Sequence, residues 1–369
     1  MGTKRVTSFD VAKLAGVSRS VVSAVLNGTQ GIGVSSETRE AVLSAIRELN
    51  YHVDAQARGM KTGKSFSIAA FGDTGNPLFL QMLEGMQRAC GESGYHLLIS
   101  GQGTREEGRF KLIDLFLQRR IDGIVSLDEV SYADPQWEEA VRQSGVPFVS
   151  VEGYAETPSV VSVLTDYGQS IRDALELLAA ADGRDRAPVY MQLVLGRSAE
   201  NWAERSRRQA YLDWCAERQQ EPCIGTFDIE DREAVETLLG TLREADSIPP
   251  ILCNWSIGAI AVYRYAYRHG LRIGSDLRVM AADDTLRSNR HMVPALSAME
   301  IPYARMGEAA VQALLEQING SGEAVEQEPK QKQAGESGTS SGQEPGLGFV
   351  RTVAGKRWLR ASYQPGESI

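Results

Sequence analysis

Apolar residues recur with helical spacing in three short runs over the first fifty positions. Val11, Ala12, Leu14 and Ala15 form the first apolar face, opened by Thr7 as an N-cap with Asp10 at the third helical position. This run stops at Gly16. Ser18 then starts a second helix with Val21, Val22, Val25 and Leu26 on its inner side. Two short helices across one Gly-Val-Ser turn predict a helix-turn-helix. After a break through Asn27, Gly28, Gly31 and Gly33, Ser35 caps a third helix. Its inner residues are Ala41, Val42, Ala45, Ile46 and Leu49, and it ends near Asn50 and Tyr51.

The period changes at Phe66. Short apolar runs (SFSIAAFG, YHLLISG, DGIVSL, PFVSVEG) alternate with amphipathic stretches over 78–93, 105–119 and 135–144. This is a βαβαβ pattern, which implies a parallel sheet covered by helices. The theme restarts with VYMQLVLG, CIGTFD, PPILCNW and LRVMAADD, separated by helices over 202–218, 231–244 and 256–269. Two successive sets predict two lobes, in which ligands sit beyond the carboxyl ends of the strands. The expected fold is therefore α/β, a small all-α headpiece followed by a two-lobed domain with parallel sheets.

The expected divisions are a headpiece over 1–51, a hinge over 52–65, and an effector-binding and dimerisation domain over 66–320. Its lobes are read as 66–165 plus 294–319, and 166–293. The hinge, HVDAQARGMKTGKS, is too short and polar to be a stable helix alone. Residues 321–346 are rich in Gly, Ser, Gln, Glu and Pro and too poor in apolar groups to repay ordering entropy, so a disordered insert is expected. A C-terminal strand and tail follow over 347–369.

Composition narrows the function. The chain is 42% hydrophobic and 24% charged, without the run of about 18 apolar residues that a membrane span requires. Its first residues lack the pattern of a secretory signal, so a cytoplasmic protein that meets no membrane is expected. The four cysteines form no C-x-x-C pair, and neither a metal site nor any other cofactor is expected. The net charge of −9 is unevenly placed: residues 1–64 carry +4 and the remainder −13. A basic head on an acidic body suits a protein whose head alone meets phosphate. Gly101-x-Gly103 echoes a dinucleotide loop, but Glu106 stands where the third glycine belongs, and the four histidines are scattered. An enzyme is therefore not expected; a sugar-active enzyme or a plain small-molecule-binding protein without DNA function is the competing reading.

The stretches VTSFDVAKLAGVSRSVVSAVLNG and VSSETREAVLSAIRELNY resemble the headpiece of the LacI/GalR family of transcriptional repressors. The resemblance implies that the second helix enters the major groove of a palindromic operator, bound by a homodimer. Arg19 and Ser20 then become the base-reading positions, and an Arg fork on guanine O6 and N7 is worth about 1–3 kcal/mol of discrimination. Ala24 stands where a polar or basic residue is common, which leaves only a thymine methyl for it to touch. Thr7, Ser18, Ser23 and Asn27 match phosphate-holding positions, and Lys4 and Arg5 form a short basic arm. In the hinge, Met60 matches the apolar side chain that pries apart a minor-groove base step. Val53 replaces a usual proline there, and Gly59 weakens the hinge helix.

ILCNWSIGAIAVYRYAYRHGL, LRVMAADDT and IPYARMGEAAVQALL resemble the same family's effector domain, itself similar to periplasmic sugar-binding proteins. By that resemblance Arg207, Asn254 and Asp283 hold a carbohydrate-like effector, a set suited to neighbouring hydroxyls. Asp73 and Asp166 are further candidates, for which a helix cap is the favoured reading. Trp202 and Trp255 either stack on a sugar face or pack, and Trp255 replaces an acidic residue frequent at its place. VAGKRWLRASY resembles the closing strand, and no leucine heptads follow it, which implies a dimer without a tetramerising tail.

Overall fold

The carboxylate of Asp10 accepts hydrogen bonds from both the backbone N–H (2.8 Å) and the hydroxyl (2.7 Å) of Thr7, fixing the first turn of α1 (Ser8–Ala15). Gly16 ends that helix at φ +65°, a left-handed conformation that a side chain would strain. In α2 (Arg19–Asn27) the first turn is held by Ser18, whose carbonyl accepts from Val21 and Val22 and whose hydroxyl accepts from Val21. Ser35 caps α3 (Ser36–Glu48) by accepting the Thr38 N–H at 3.1 Å. Val11, Ala12, Val22, Val25, Val42 and Ala45 form the core between these helices. Leu14 and Ala41, expected to face inward, are exposed, because helices this short bury a stripe narrower than their apolar content.

These coordinates come from a computed structural model that describes residues 6–27, 34–51, 62–101, 105–130, 132–194, 201–228, 231–244, 248–284, 289–320, 349–353 and 355–369. The chain divides into two units, Met1–Ser65 and Phe66–Ile369. Lys4, Arg5, Val53, Gly59, Met60 and the insert over 321–346 lie outside the described residues.

Two sheets build the second unit. The first contains β1 (Ser67–Phe71), β2 (His96–Ser100), β3 (Gly123–Leu127), β4 (Phe148–Val151), β5 (Val161–Thr165), β11 (Phe349–Val353) and β12 (Lys356–Leu359) in the order β2-β1-β3-β4-β5-β12-β11. All neighbours are parallel except β11 and β12. One face is covered by α4 (Pro77–Glu92) and α11 (Tyr303–Ile318), the other by α5 (Arg105–Leu117) and α6 (Pro135–Ser144). The second sheet contains β6 (Val189–Val194), β7 (Cys223–Asp228), β8 (Ile251–Cys253), β9 (Val279–Ala281), β10 (Ser297–Glu300) and β13 (Ser362–Gln364), in the order β7-β6-β8-β9-β10-β13. Only β13 runs antiparallel, against β10. Its faces are covered by α7 (Tyr167–Asp182) with α8 (Trp202–Glu217), and by α9 (Arg232–Glu244) with α10 (Ser256–Arg268).

The expected lobe boundary at 294 needs correcting. Ser297–Glu300 pairs with β9 and belongs to the second sheet, so the chain returns to the first lobe only at Ile301–Tyr303. The C-terminal segment is likewise shared: β12 lies beside β5, whereas β13 lies beside β10. The chain thus passes between lobes after Thr165, after Glu300 and after Leu359. Strand β5 and helix α7 were not singled out by the hydrophobic pattern.

Two packing features fix the first lobe. Helices α4 and α11 touch backbone to backbone: a Cβ on Gly85 would lie 1.7 Å from the carbonyl oxygen of Ala304, and one on Gly307 2.2 Å from that of Met82. In β12 the buried Lys356 ammonium donates to the carbonyls of Tyr154 (2.7 Å), Thr157 (2.7 Å) and Val160 (2.5 Å) and to the Ser162 hydroxyl (3.1 Å). Burial pushes this ammonium down to about 8.

Candidate functional site

In the first unit the candidate surface is the start of α2. Arg19 and Ser20 are exposed in the first turn, whereas Val22 and Val25 are buried, and Ser18 is exposed while holding the helix start. Thr7 is exposed as well, with its hydroxyl engaged by Asp10. Ser23 is half-buried, and the side chain of Asn27 lies outside the described residues. Ala24 is corrected: it is only 5% exposed, so the methyl expected to meet a thymine is turned into the protein. Three positions beyond Val21 on a helix of 3.6 residues per turn, it shares the buried side.

In the second unit the polar residues gather where the first sheet ends and helices of the second lobe begin. Arg207, on α8, is fully buried. Its guanidinium carbon lies 4.3 Å from the ring centre of Tyr167 and 3.9 Å from that of Trp255, so aromatic rings take up its faces. Nη1 donates to the Asn254 carbonyl at 3.0 Å. Nε and Nη2, which together form the forked edge of the group, are buried without a hydrogen-bond partner among the described residues. A buried guanidinium fixed on three sides with an open fork is prepared for a ligand offering two adjacent acceptor oxygens.

Glu152, which the sequence did not single out, lies close enough to feel that charge. It follows β4 directly, at φ +68°, and is buried. One carboxyl oxygen accepts the Thr165 hydroxyl at 2.7 Å, and the other, Oε2, has no partner among the described residues. Burial pushes this carboxyl up to about 7, against the opposing pull of the Thr165 hydroxyl, of the nearby Tyr167 phenol and of the Arg207 charge. Tyr167 and Tyr303, at the first positions of α7 and α11, have their phenols raised well above the ordinary range by burial and then by the Glu152 charge, so both remain neutral hydroxyls. A signal for Glu152 was available, since it ends the run PFVSVEG at a strand's carboxyl end.

The anticipated ligand set divides. Asn254 is fully buried, but its amide is committed: Oδ1 accepts the Leu193 N–H at 2.8 Å and Nδ2 donates to the Leu193 carbonyl at 3.0 Å. It therefore holds β6 to β8 and presents a carbonyl to Arg207, which corrects the reading of its amide as a ligand contact. Asp283 is fully buried, with Oδ1 accepting the Ser256 N–H at the start of α10 and its carbonyl accepting from Asn289 at 3.2 Å. Asp166 caps α7 through the Gln169 N–H at 3.1 Å. Asp73 is exposed and accepts the Gly75 N–H at 2.8 Å in the turn before α4. Trp202 packs between Tyr167, at 5.3 Å between ring centres, and Trp358, at 5.7 Å, within the first-lobe core. Trp255 stacks on Arg207 and donates to Glu204 at 3.4 Å.

No group of three or more His, Cys, Asp or Glu able to hold a metal occurs among the described residues. Nor is any described helix long and apolar enough to cross a membrane.

Comparison with known proteins matches both units. The family model described as bacterial regulatory proteins, lacI family, matches residues 9–54, and the model for a periplasmic binding protein-like domain matches residues 186–334. The HTH-type transcriptional repressor PurR of Erwinia tasmaniensis is 28% identical over 317 residues, covering 85% of this chain and 90% of that protein. The ribose operon repressor of Haemophilus influenzae is 27% identical over 323 residues, covering 86% and 93%. Among solved structures, a lac repressor dimer bound to operator and the anti-inducer ONPF aligns with a TM-score of 0.63 at 21% identity, over 99% of each chain. A CelR–cellobiose complex aligns with a TM-score of 0.57 at 21% identity, over 99% of this chain and 100% of that one. At these identities the structural likenesses establish the fold.

Proposed function

We propose that this chain, whose residues 9–54 match the model for bacterial regulatory proteins, lacI family, is a member of that family and represses transcription in the cytoplasm. In this reading it binds a palindromic operator as a homodimer and responds to a small polar effector held between its two lobes. The observation that carries the reading is the exposed first turn of α2, which offers Arg19 and Ser20 to base edges while Val22 and Val25 fix the helix in the headpiece core. The transcriptional repressor PurR and a ribose operon repressor are its relatives over most of the chain, and the aligned lac repressor is a dimer on its operator. This favours a regulator over an enzyme.

The effector half of the reading rests on the Arg207 fork and on Glu152 Oε2, which a polyhydroxylated ligand would satisfy together. Such a ligand acts by its differential affinity for two arrangements of the lobes, shifting their populations and so the pairing of the two headpieces on DNA.

Selection of bound duplexes from a randomised palindromic library tests the assignment. The wild-type protein should enrich one half-site with a strong salt dependence, and Arg19→Ala should lose preference at one base pair, by about 1–3 kcal/mol. Arg207→Met should keep the same half-site while losing the response to ligand. Retention of full base preference by Arg19→Ala would refute the role given to α2.

A further inference from the structure

We infer that Glu152 sets the charge class of the effector: the site takes a neutral ligand that places two adjacent oxygens on the Arg207 fork and donates a hydroxyl to Glu152, and it rejects ligands carrying a carboxylate or phosphate there. This inference rests on the effector reading above and deepens it.

The aim of this carboxyl is built into the backbone. Glu152 at φ +68° and Tyr154 at φ +55° flank Gly153, where a Cβ would lie 2.6 Å from the Asp128 Cβ and 2.7 Å from the Ser150 hydroxyl. Left-handed conformations at two residues that carry side chains persist only where the surroundings impose them, and they collect at binding sites. The surroundings do so here. The Glu152 N–H donates to the Val163 carbonyl at 3.0 Å, the Tyr154 N–H to the Tyr132 carbonyl at 2.7 Å, and the Tyr154 carbonyl accepts from Lys356. With the turn pinned on both sides and Oε1 held by the Thr165 hydroxyl, Oε2 is the oxygen left for a ligand.

The charge balance follows from what faces that carboxyl. Thr165 of β5, Tyr167 of α7, Arg207 of α8 and Tyr303 of α11 act on it, with Asp283 of the second lobe acting on Tyr303. Thr165 and both phenols are neutral and Asp283 is engaged by the Ser256 N–H, so the ionised Glu152 carboxylate is the one set against Arg207, and a neutral ligand adds no further charge to the buried site. An anion on the fork would leave one uncompensated negative charge among buried aromatic rings, unless Glu152 took up a proton. The two ligand classes thus couple to protons with opposite sign. Because burial already raises this carboxyl to about 7, a neutral donor ligand expels a proton below that pH. Its binding strengthens toward neutrality and then levels. Anion binding consumes a proton and weakens about tenfold for each pH unit above neutrality.

Calorimetric titration of the full-length protein tests this with matched probes: galactose and galacturonate, glucose and glucuronate, and ribose and ribose 5-phosphate, from pH 5.5 to 8.5. Buffers of different ionisation enthalpy report the proton count. The expected result is that one neutral member binds with proton release at pH 6, while its anionic partner binds at least about tenfold more weakly at pH 8. Glu152→Gln should flatten both pH profiles and narrow the preference. The wild-type profiles alone decide the matter if that variant does not fold. Equal affinity for both members of a pair at pH 8, or preference for the anion, overturns the inference and leaves the effector reading standing. Binding of no probe at any pH overturns both.

Discussion

Replacing Gly85 by alanine should destabilise the protein and disturb its ligand site, although alanine is the better helix former. The added Cβ would lie 1.7 Å from the Ala304 carbonyl oxygen and 2.6 Å from the carbonyl carbon, both backbone atoms that no rotamer change can move aside. Helices α4 and α11 would have to part by about 1.5–2 Å, loosening contacts of the fully buried Met82, Met86 and Ala310. Overpacking of this kind costs about 1–3 kcal/mol beyond the gain of up to about 1 kcal/mol from helix propensity. Gly91, in the same helix, provides the control, because a Cβ there meets nothing within 4 Å. Gly91→Ala should be neutral or stabilising by up to about 1 kcal/mol. Urea unfolding followed by circular dichroism should therefore separate the two variants by about 1–4 kcal/mol with equal slopes. Since Ala304 adjoins Tyr303, the first variant should also weaken ligand affinity. Should Gly85→Ala match or exceed Gly91→Ala in stability, the backbone contact would not be the constraint described.

Lys356→Met should cost about 2–4 kcal/mol in thermal or urea unfolding, because three carbonyls and the Ser162 hydroxyl would lose their buried donor. Lys356→Arg should not rescue it, since a planar fork does not fit a cage shaped for a point charge. Asn254→Ala should cost about 2–3 kcal/mol by stranding the Leu193 N–H and carbonyl, and Asn254→Asp should restore only the bond from the N–H. Both should reduce ligand affinity in titration calorimetry through Arg207, which rests on the Asn254 carbonyl.

The parts of the structure readable in advance were those decided locally. Thr7 with Asp10, Ser18 and Ser35 start helices because their side chains reach backbone groups within one turn, and the apolar period of each helix follows directly. Strands buried on both faces, such as Ile68–Phe71 and Ile251–Cys253, read as short apolar runs. What stayed hidden was set by distant partners. Ser297–Glu300 joins the second sheet because β9 leaves an edge open, a fact absent from its own four residues. Asn254 looked like a ligand residue from its position, yet its amide is taken by Leu193, sixty-one positions away. Glu152 escaped notice because its importance lies in a positive φ and a buried environment, neither of which a single carboxyl in a sequence announces.

The three passages between lobes have a mechanical consequence. Two connections between lobes already restrict how one can turn against the other, and a third adds a further backbone segment that has to move with them. Any reorientation must be shared as simultaneous torsion near Thr165–Tyr167, Ile301–Tyr303 and Leu359–Ser362. Tyr167 and Tyr303 open the helices just past two of these connections and also flank the Glu152 carboxyl, so a molecule seated there pushes on the pivots themselves. A ligand at that carboxyl would therefore bear directly on the backbone torsions through which any reorientation of the lobes has to pass.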